Sequence, residues 1–244
     1  MYRVLIIYFI FLICLSMQSY ALNDSGRTES KLYEEAMRLF KQKKYKQAVK
    51  VFQKIEDLYP FSHMAMKARL LVGVSHYNMH DYDSAASDMN DYIQVYSNGE
   101  DLPYVYYLRV LSYYMQIRKI QLGQRIAYKT LDLASEYINF FPDSKYIEEI
   151  KEKVKLVTEH ILAKEYSVGK FYLMRGEYLA AIKRFQNIVS NKDSGYFLKS
   201  INYLITAYLA LGLNSEVKQY KSLLAENLKK RKEKDEVICK NSKP

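Results

Sequence analysis

The sequence predicts an all-α protein, a right-handed α-solenoid of about five helical hairpins, and three observations carry that prediction. The 244-residue chain has only 4 prolines and 8 glycines, so long apolar-periodic stretches run without a helix breaker. A small residue, a turn, a second small residue and a bulky apolar residue then recur at fixed offsets. In the best copy these are Gly169, Gly176-Glu177-Tyr178, Ala181 and Phe185. The same spacing returns upstream. Ala36 and Ala48 are twelve positions apart, as are Gly169 and Ala181, and Phe52 follows Ala48 by four, as Phe185 follows Ala181.

Each position has a packing role. Gly169 and Ala181 let two helix axes approach closely, and Gly176 supplies the left-handed residue that ends the first helix. Tyr178 closes the hairpin with a buried ring, and Phe185 fills space one turn after Ala181. Hairpins of this kind at a period near 34 residues are tetratricopeptide repeats, which stack into a solenoid.

In chain order, residues 1–21 read as an export signal, with Arg3 as a minimal positive region, an apolar core over 4–17, and small residues Ser19 and Ala21 before the cut. Cys14 offers a second cleavage point, because lipoprotein signals end just before a cysteine. Cleavage after Ala21 would release a soluble periplasmic chain, and cleavage before Cys14 would leave that cysteine lipidated. Residues 22–30 form a polar leader. Repeats 1–3 occupy 31–141: the first ends at Pro60, the second carries Gly73, Tyr82, Ala85 and Met89, and the third is degenerate, with a long connector around 116–124. Repeats 4–5 occupy 142–228, and 229–244 is a basic tail expected to fray and lose order.

Composition narrows the function. The formal charge of +10 comes from lysine spread along the chain, and no nucleic-acid-reading motif accompanies it, so no nucleic acid is expected as partner. There is no nucleophile elbow, phosphate loop or dinucleotide fingerprint, and no enzyme activity or cofactor is expected. His76 and His80 have the four-residue spacing of a helical metal pair. The glutamate of a metalloprotease helix and a third ligand are missing, so no metal is expected either. The 25 tyrosines fit two roles, filling between helices or lining a groove that grips a peptide.

Several segments are more specific than the repeats. These are Leu58-Tyr59-Pro60-Phe61-Ser62, Tyr104-Val105-Tyr106-Tyr107-Leu108-Arg109, Phe141-Pro142-Asp143-Ser144-Lys145-Tyr146, and Leu162-Ala163-Lys164-Glu165-Tyr166-Ser167-Val168 ahead of Arg175-Gly176. In these segments and their order the chain resembles the BamD (ComL/YfiO) family of outer-membrane protein assembly factors.

That resemblance implies a non-enzymatic scaffold of the β-barrel assembly machinery at the periplasmic face of the outer membrane. Its implied partners are the POTRA domains of the barrel subunit, other assembly lipoproteins, and unfolded outer-membrane β-barrel proteins. By the same carry-over, Arg184 would meet an acidic POTRA side chain, and Tyr59 and Phe61 would help form an N-terminal substrate pocket. Tyr104, Tyr107 and Arg109 lie in the resembling segments and join the candidate partner-binding set. Family members are usually lipoproteins, which favours Cys14 as the acylated residue. Arg184→Glu is expected to leave the fold intact while weakening docking. The alternative is an exported repeat adaptor of another envelope complex, such as Tol–Pal or peptidoglycan coordination.

Overall fold

The computed structural model describes residues 28–117 and 124–241, and among them every regular element is an α-helix. The export segment and Cys14 lie outside the described residues. Two compact units divide the chain, Met1–Met115 and Gln116–Pro244. The first holds α1 (Glu29–Lys41), α2 (Tyr45–Leu58), α3 (His63–Asn78), α4 (Tyr82–Val95) and α5 (Leu102–Met115). The second holds α6 (Arg125–Phe140), α7 (Ile147–Met174), α8 (Tyr178–Val189), α9 (Phe197–Ala210) and α10 (Asn214–Asn241). Within each unit every helix packs on the next, and α9 also touches α7.

The four tight hairpins share one turn. The first helix ends with a residue at positive φ: Lys43 (58°), His80 (61°), Gly176 (76°) and Gly212 (72°). The amide after it reaches back to a carbonyl in the last turn, from Lys44 to Leu39, Asp81 to His76, Glu177 to Tyr172 and Leu213 to Tyr208, each at 3.0 Å. This satisfies carbonyls that the helix end would otherwise orphan. Glycine takes the left-handed conformation freely, whereas Lys43 and His80 take it at a cost of roughly 1 kcal/mol each. The repeated geometry overrides local preference.

Small-to-large packing repeats as well. Ala36, Ala48, Ala85 and Ala181 are fully buried, and Phe52, Met89 and Phe185 fill the next turn. A Cβ on Gly169 would lie 2.8 Å from Phe185 Cε1, and one on Gly73 would lie 3.1 Å from Asp88 Cβ, so both glycines mark close helix crossings. Three positions beyond these fillers, Ile55, Tyr92 and Ile188 are also fully buried. Tyr178, expected buried, is half-buried.

The structure departs from the sequence reading in two places. The expected third hairpin would join α5 and α6, which belong to different units, and the break falls at Met115/Gln116 rather than at 141/142. Nine positions separate these helices, where each tight hairpin uses three. The basic tail, expected to fray, continues as α10 to Asn241. No glycine or proline interrupts it before Pro244, and exposed pairs such as Lys230–Glu226 lie one turn apart along it.

Candidate functional site: partner-binding surfaces

In the first unit, Tyr59 is the residue that stops α2. Its amide still donates to Ile55, 2.8 Å away, but its φ of −134° has left the helix because Pro60 follows. Its ring packs partly against the core around Phe52. Phe61, two residues on, is 100% exposed. Proline thus sends two neighbouring aromatics opposite ways, one into the core and one fully into solvent.

Tyr104 and Tyr107 sit on α5 one turn apart, half-buried, with ring centroids 6.2 Å apart. Arg109, expected on the same partner face, is instead 6% exposed. Its guanidinium carbon lies 4.4 Å from the centre of the Tyr106 ring. That cation–π stacking on buried Tyr106 holds the guanidinium inside the packing and removes it from the surface.

Between α2, α3 and α4 lies a cavity of about 380 Å³ whose wall includes Glu56, Asp57, Arg69, Asp88 and Asp91. Arg69 Nε donates to Glu56 at 2.7 Å, and His76 Nδ1 lies 2.5 Å from Asp88. His80 Nδ1 is 2.7 Å from the Tyr82 hydroxyl, so the two histidines of the i, i+4 pair are engaged by different partners.

Burial pushes the Glu56 carboxyl up, against the opposing pull of Arg69, and pushes Asp88 up against the pull of His76. A carboxyl with a raised folded-state pKa binds its proton more tightly folded than unfolded. Its ionisation therefore costs stability at neutral pH, and the cost disappears as pH falls through the folded pKa. Glu56→Gln with Asp88→Asn keeps both hydrogen-bond acceptors. It is expected to melt a few degrees above wild type at about pH 7, with the gap closing toward about pH 4. Thermal melts across that range check this, and a gap that widens on acidification would refute it.

In the second unit, Arg184 on α8 faces Glu165 on α7. Arg184 Nη1 donates to both carboxylate oxygens at 3.0 and 3.2 Å, and Asn187 Nδ2 adds a 3.4 Å contact. The Glu165 side chain is 10% exposed and that of Arg184 39%. One nitrogen therefore serves the intramolecular carboxylate, and the rest of the guanidinium edge is left to solvent. Sequence reading finds Arg184 but misses Glu165, although the segment containing it is among those that carry the resemblance. Nineteen positions separate the two, and only the crossing of α7 and α8 beside Gly169 brings them together.

The surface candidates thus stand as two sets, Tyr59, Phe61, Tyr104 and Tyr107 in the first unit and Arg184 in the second. Cys14, the candidate lipidation site, lies outside the described residues. No group of three or more metal-binding side chains occurs among the described residues.

The sequence profile of the YfiO family, described as outer membrane lipoprotein, matches residues 25–224. Outer membrane protein assembly factor BamD of Rickettsia prowazekii (strain Madrid E) is 34% identical over 206 residues, 84% of this chain and 82% of that protein. BamD of Caulobacter vibrioides (strain ATCC 19089 / CIP 103742 / CB 15) is 27% identical over 184 residues, 75% of this chain but only 60% of that protein. Among solved structures, the TPR2AB-domain:pHSP90 complex of yeast Sti1 aligns with TM-score 0.44 and 13% identity, over 81% of this chain and 76% of that one. With a family profile running from the polar leader into α10 and a third of residues shared with a relative across most of both sequences, the chain belongs to the YfiO family of outer membrane lipoproteins, the family of the BamD assembly factors.

Proposed function

We propose that this protein is a scaffold for outer-membrane β-barrel assembly, working at the periplasmic face of the outer membrane without bond chemistry. The observation that carries the reading is the 34% identity to a named assembly factor over 84% of the chain. Tetratricopeptide-like hairpins suit the role, because they expose ordered side chains from many helices to a partner while their own cores stay closed.

Two contacts are assigned within that role. Phe61 and the half-buried Tyr59, Tyr104 and Tyr107 receive unfolded barrel proteins, with Arg109 stacked on the neighbouring Tyr106. The wholly exposed Phe61 ring and the half-buried pair Tyr104 and Tyr107 support this assignment. The free edge of Arg184, oriented by Glu165, meets an acidic side chain of a POTRA domain of the barrel subunit. Acylation of Cys14 would add the membrane tether.

Affinity co-purification from bacterial envelopes, with the intact mass of the recovered chain, tests all of this. Recovery of a POTRA-containing barrel protein and a mass carrying acyl groups on Cys14 are the expected results. Recovery of Tol–Pal or peptidoglycan-associated partners alone would move the protein to another envelope complex. A chain beginning at Leu22 would remove the lipid anchor.

A further inference from the structure

The turns of the second unit carry apolar side chains that their own packing does not use. Phe171, Met174 and Leu179 surround the Gly176 turn at 54%, 84% and 73% exposure, and Leu209, Leu211 and Leu213 surround the Gly212 turn at 52%, 38% and 39%. Both turns lie at one end of the unit. Tyr166 on α7 and Tyr203 on α9 are 5.7 Å apart ring to ring, and each precedes an apolar turn residue, Met174 or Leu211, by eight positions. Nothing lies within 4 Å of a Cβ built on Gly176 or Gly212, so both tips project into open solvent.

The hairpin itself does not require apolar tips. The equivalent turns of the first unit read Gln42-Lys43-Lys44 and Met79-His80-Asp81, with the same backbone conformation. Charge accompanies the apolar tips. Exposed Lys183 and Lys218 stand one turn below them on α8 and α10, and Arg175 lies over the Phe171 ring at 5.4 Å. Of the acidic groups nearby, Glu177 is paired with Arg175 at 3.3 Å and Glu216 accepts from Ser215.

We infer that these two tips form a membrane-contact surface, pressing Phe171, Met174, Leu179 and the three leucines into the interfacial layer of a bilayer containing anionic phospholipid. Protruding apolar side chains on adjacent loops, with lysines set back at headgroup depth, match the two layers of a bilayer surface. No helix among the described residues is long and apolar enough to cross a membrane, so the contact is peripheral. The inference rests on the outer-membrane reading only for supplying a nearby bilayer. An acyl tether at Cys14 would raise the effective concentration of the tips at that surface.

The chain contains no tryptophan, which gives a direct test. Leu179→Trp in the full chain places one fluorophore on the tip, and Gln42→Trp places one on a first-unit turn. With vesicles of mixed phosphatidylcholine and phosphatidylglycerol, the probe at position 179 is expected to shift to the blue and to be quenched by brominated lipid, while the probe at position 42 is not. Met174→Ser with Leu213→Ser should weaken vesicle binding roughly tenfold or more, with an unchanged circular dichroism spectrum. Absence of vesicle binding, binding without a shift at position 179, or a shift produced by POTRA domains and not by vesicles would each overturn the inference. Co-purification of the barrel subunit is a separate readout, so failure here and failure of the assembly reading are distinguishable.

Discussion

Phe185→Ala is expected to destabilise the second unit by about 3–5 kcal/mol, the range for removing a fully buried aromatic ring. Phe185 is 0% exposed, and its ring stacks on Tyr203 at 5.2 Å and meets Tyr166 edge-on at 6.2 Å. Those two tyrosines come from the helices on either side, so the ring joins α7, α8 and α9 at one point. Closure over the lost ring is limited, because a Cβ at Gly169 would also lie 3.2 Å from Arg184 Cβ, so α7 and α8 are already close beside the ring. Urea denaturation followed by circular dichroism reads the effect, and a loss under about 1 kcal/mol would mean that the site collapses and that the repeat packing is not what holds these helices. Gly169→Ala gives the complementary check. Its Cβ would sit 2.8 Å from the Phe185 ring, so its cost should shrink when Phe185 is first shortened to leucine, a coupling that a double-mutant cycle measures.

Arg184→Glu is expected to lose stability as well as docking. The Glu165 side chain is only 10% exposed and its guanidinium partner is 3.0 Å away. A glutamate at 184 would set a second negative charge against a carboxylate that water barely reaches. Breaking a fully buried pair costs about 3–5 kcal/mol, and because Arg184 is 39% exposed the cost here is scaled down to roughly 1–3 kcal/mol. This revises the expectation from sequence that the variant leaves the fold intact. The informative comparison is Arg184→Gln with Glu165→Gln, which removes both charges and keeps hydrogen-bonding groups on both sides. That pair should recover most of the stability while still failing to recover the barrel subunit. If the double variant co-purifies the subunit as well as wild type does, Arg184 is a structural residue and leaves the docking surface.

The reason Arg184 was only half legible is physical. An arginine on an amphipathic helix looks the same in sequence whether its charge meets solvent, a partner or a carboxylate nineteen positions away. Arg109 gave the same difficulty in a stronger form. The string of tyrosines around it suggested an exposed binding face, and α5 instead turns that arginine under Tyr106. Phe61 was easier, because the proline before it ends α2 and takes the following residue off the helix. The apolar tips were visible in the sequence as Leu173-Met174-Arg175-Gly176 and Leu209-Ala210-Leu211-Gly212. Their exposure was not, since the same residues could equally have faced the core.

The sequence by itself determined the class of element, the hairpin period, the close crossings at Gly169 and Ala181, the two glycine turns and the family. All of these depend on short-range spacing, on which residues tolerate a left-handed backbone, or on strings of residues in a fixed order. Only the tertiary structure decided that α5 and α6 part into separate units, that Lys43 and His80 adopt the conformation glycine takes elsewhere, and that Glu165 holds Arg184. It also decided that two turns thirty-six positions apart present their apolar residues at one end of the second unit. These are outcomes of long-range packing, where side chains distant in the chain meet because neighbouring helices leave them no other place.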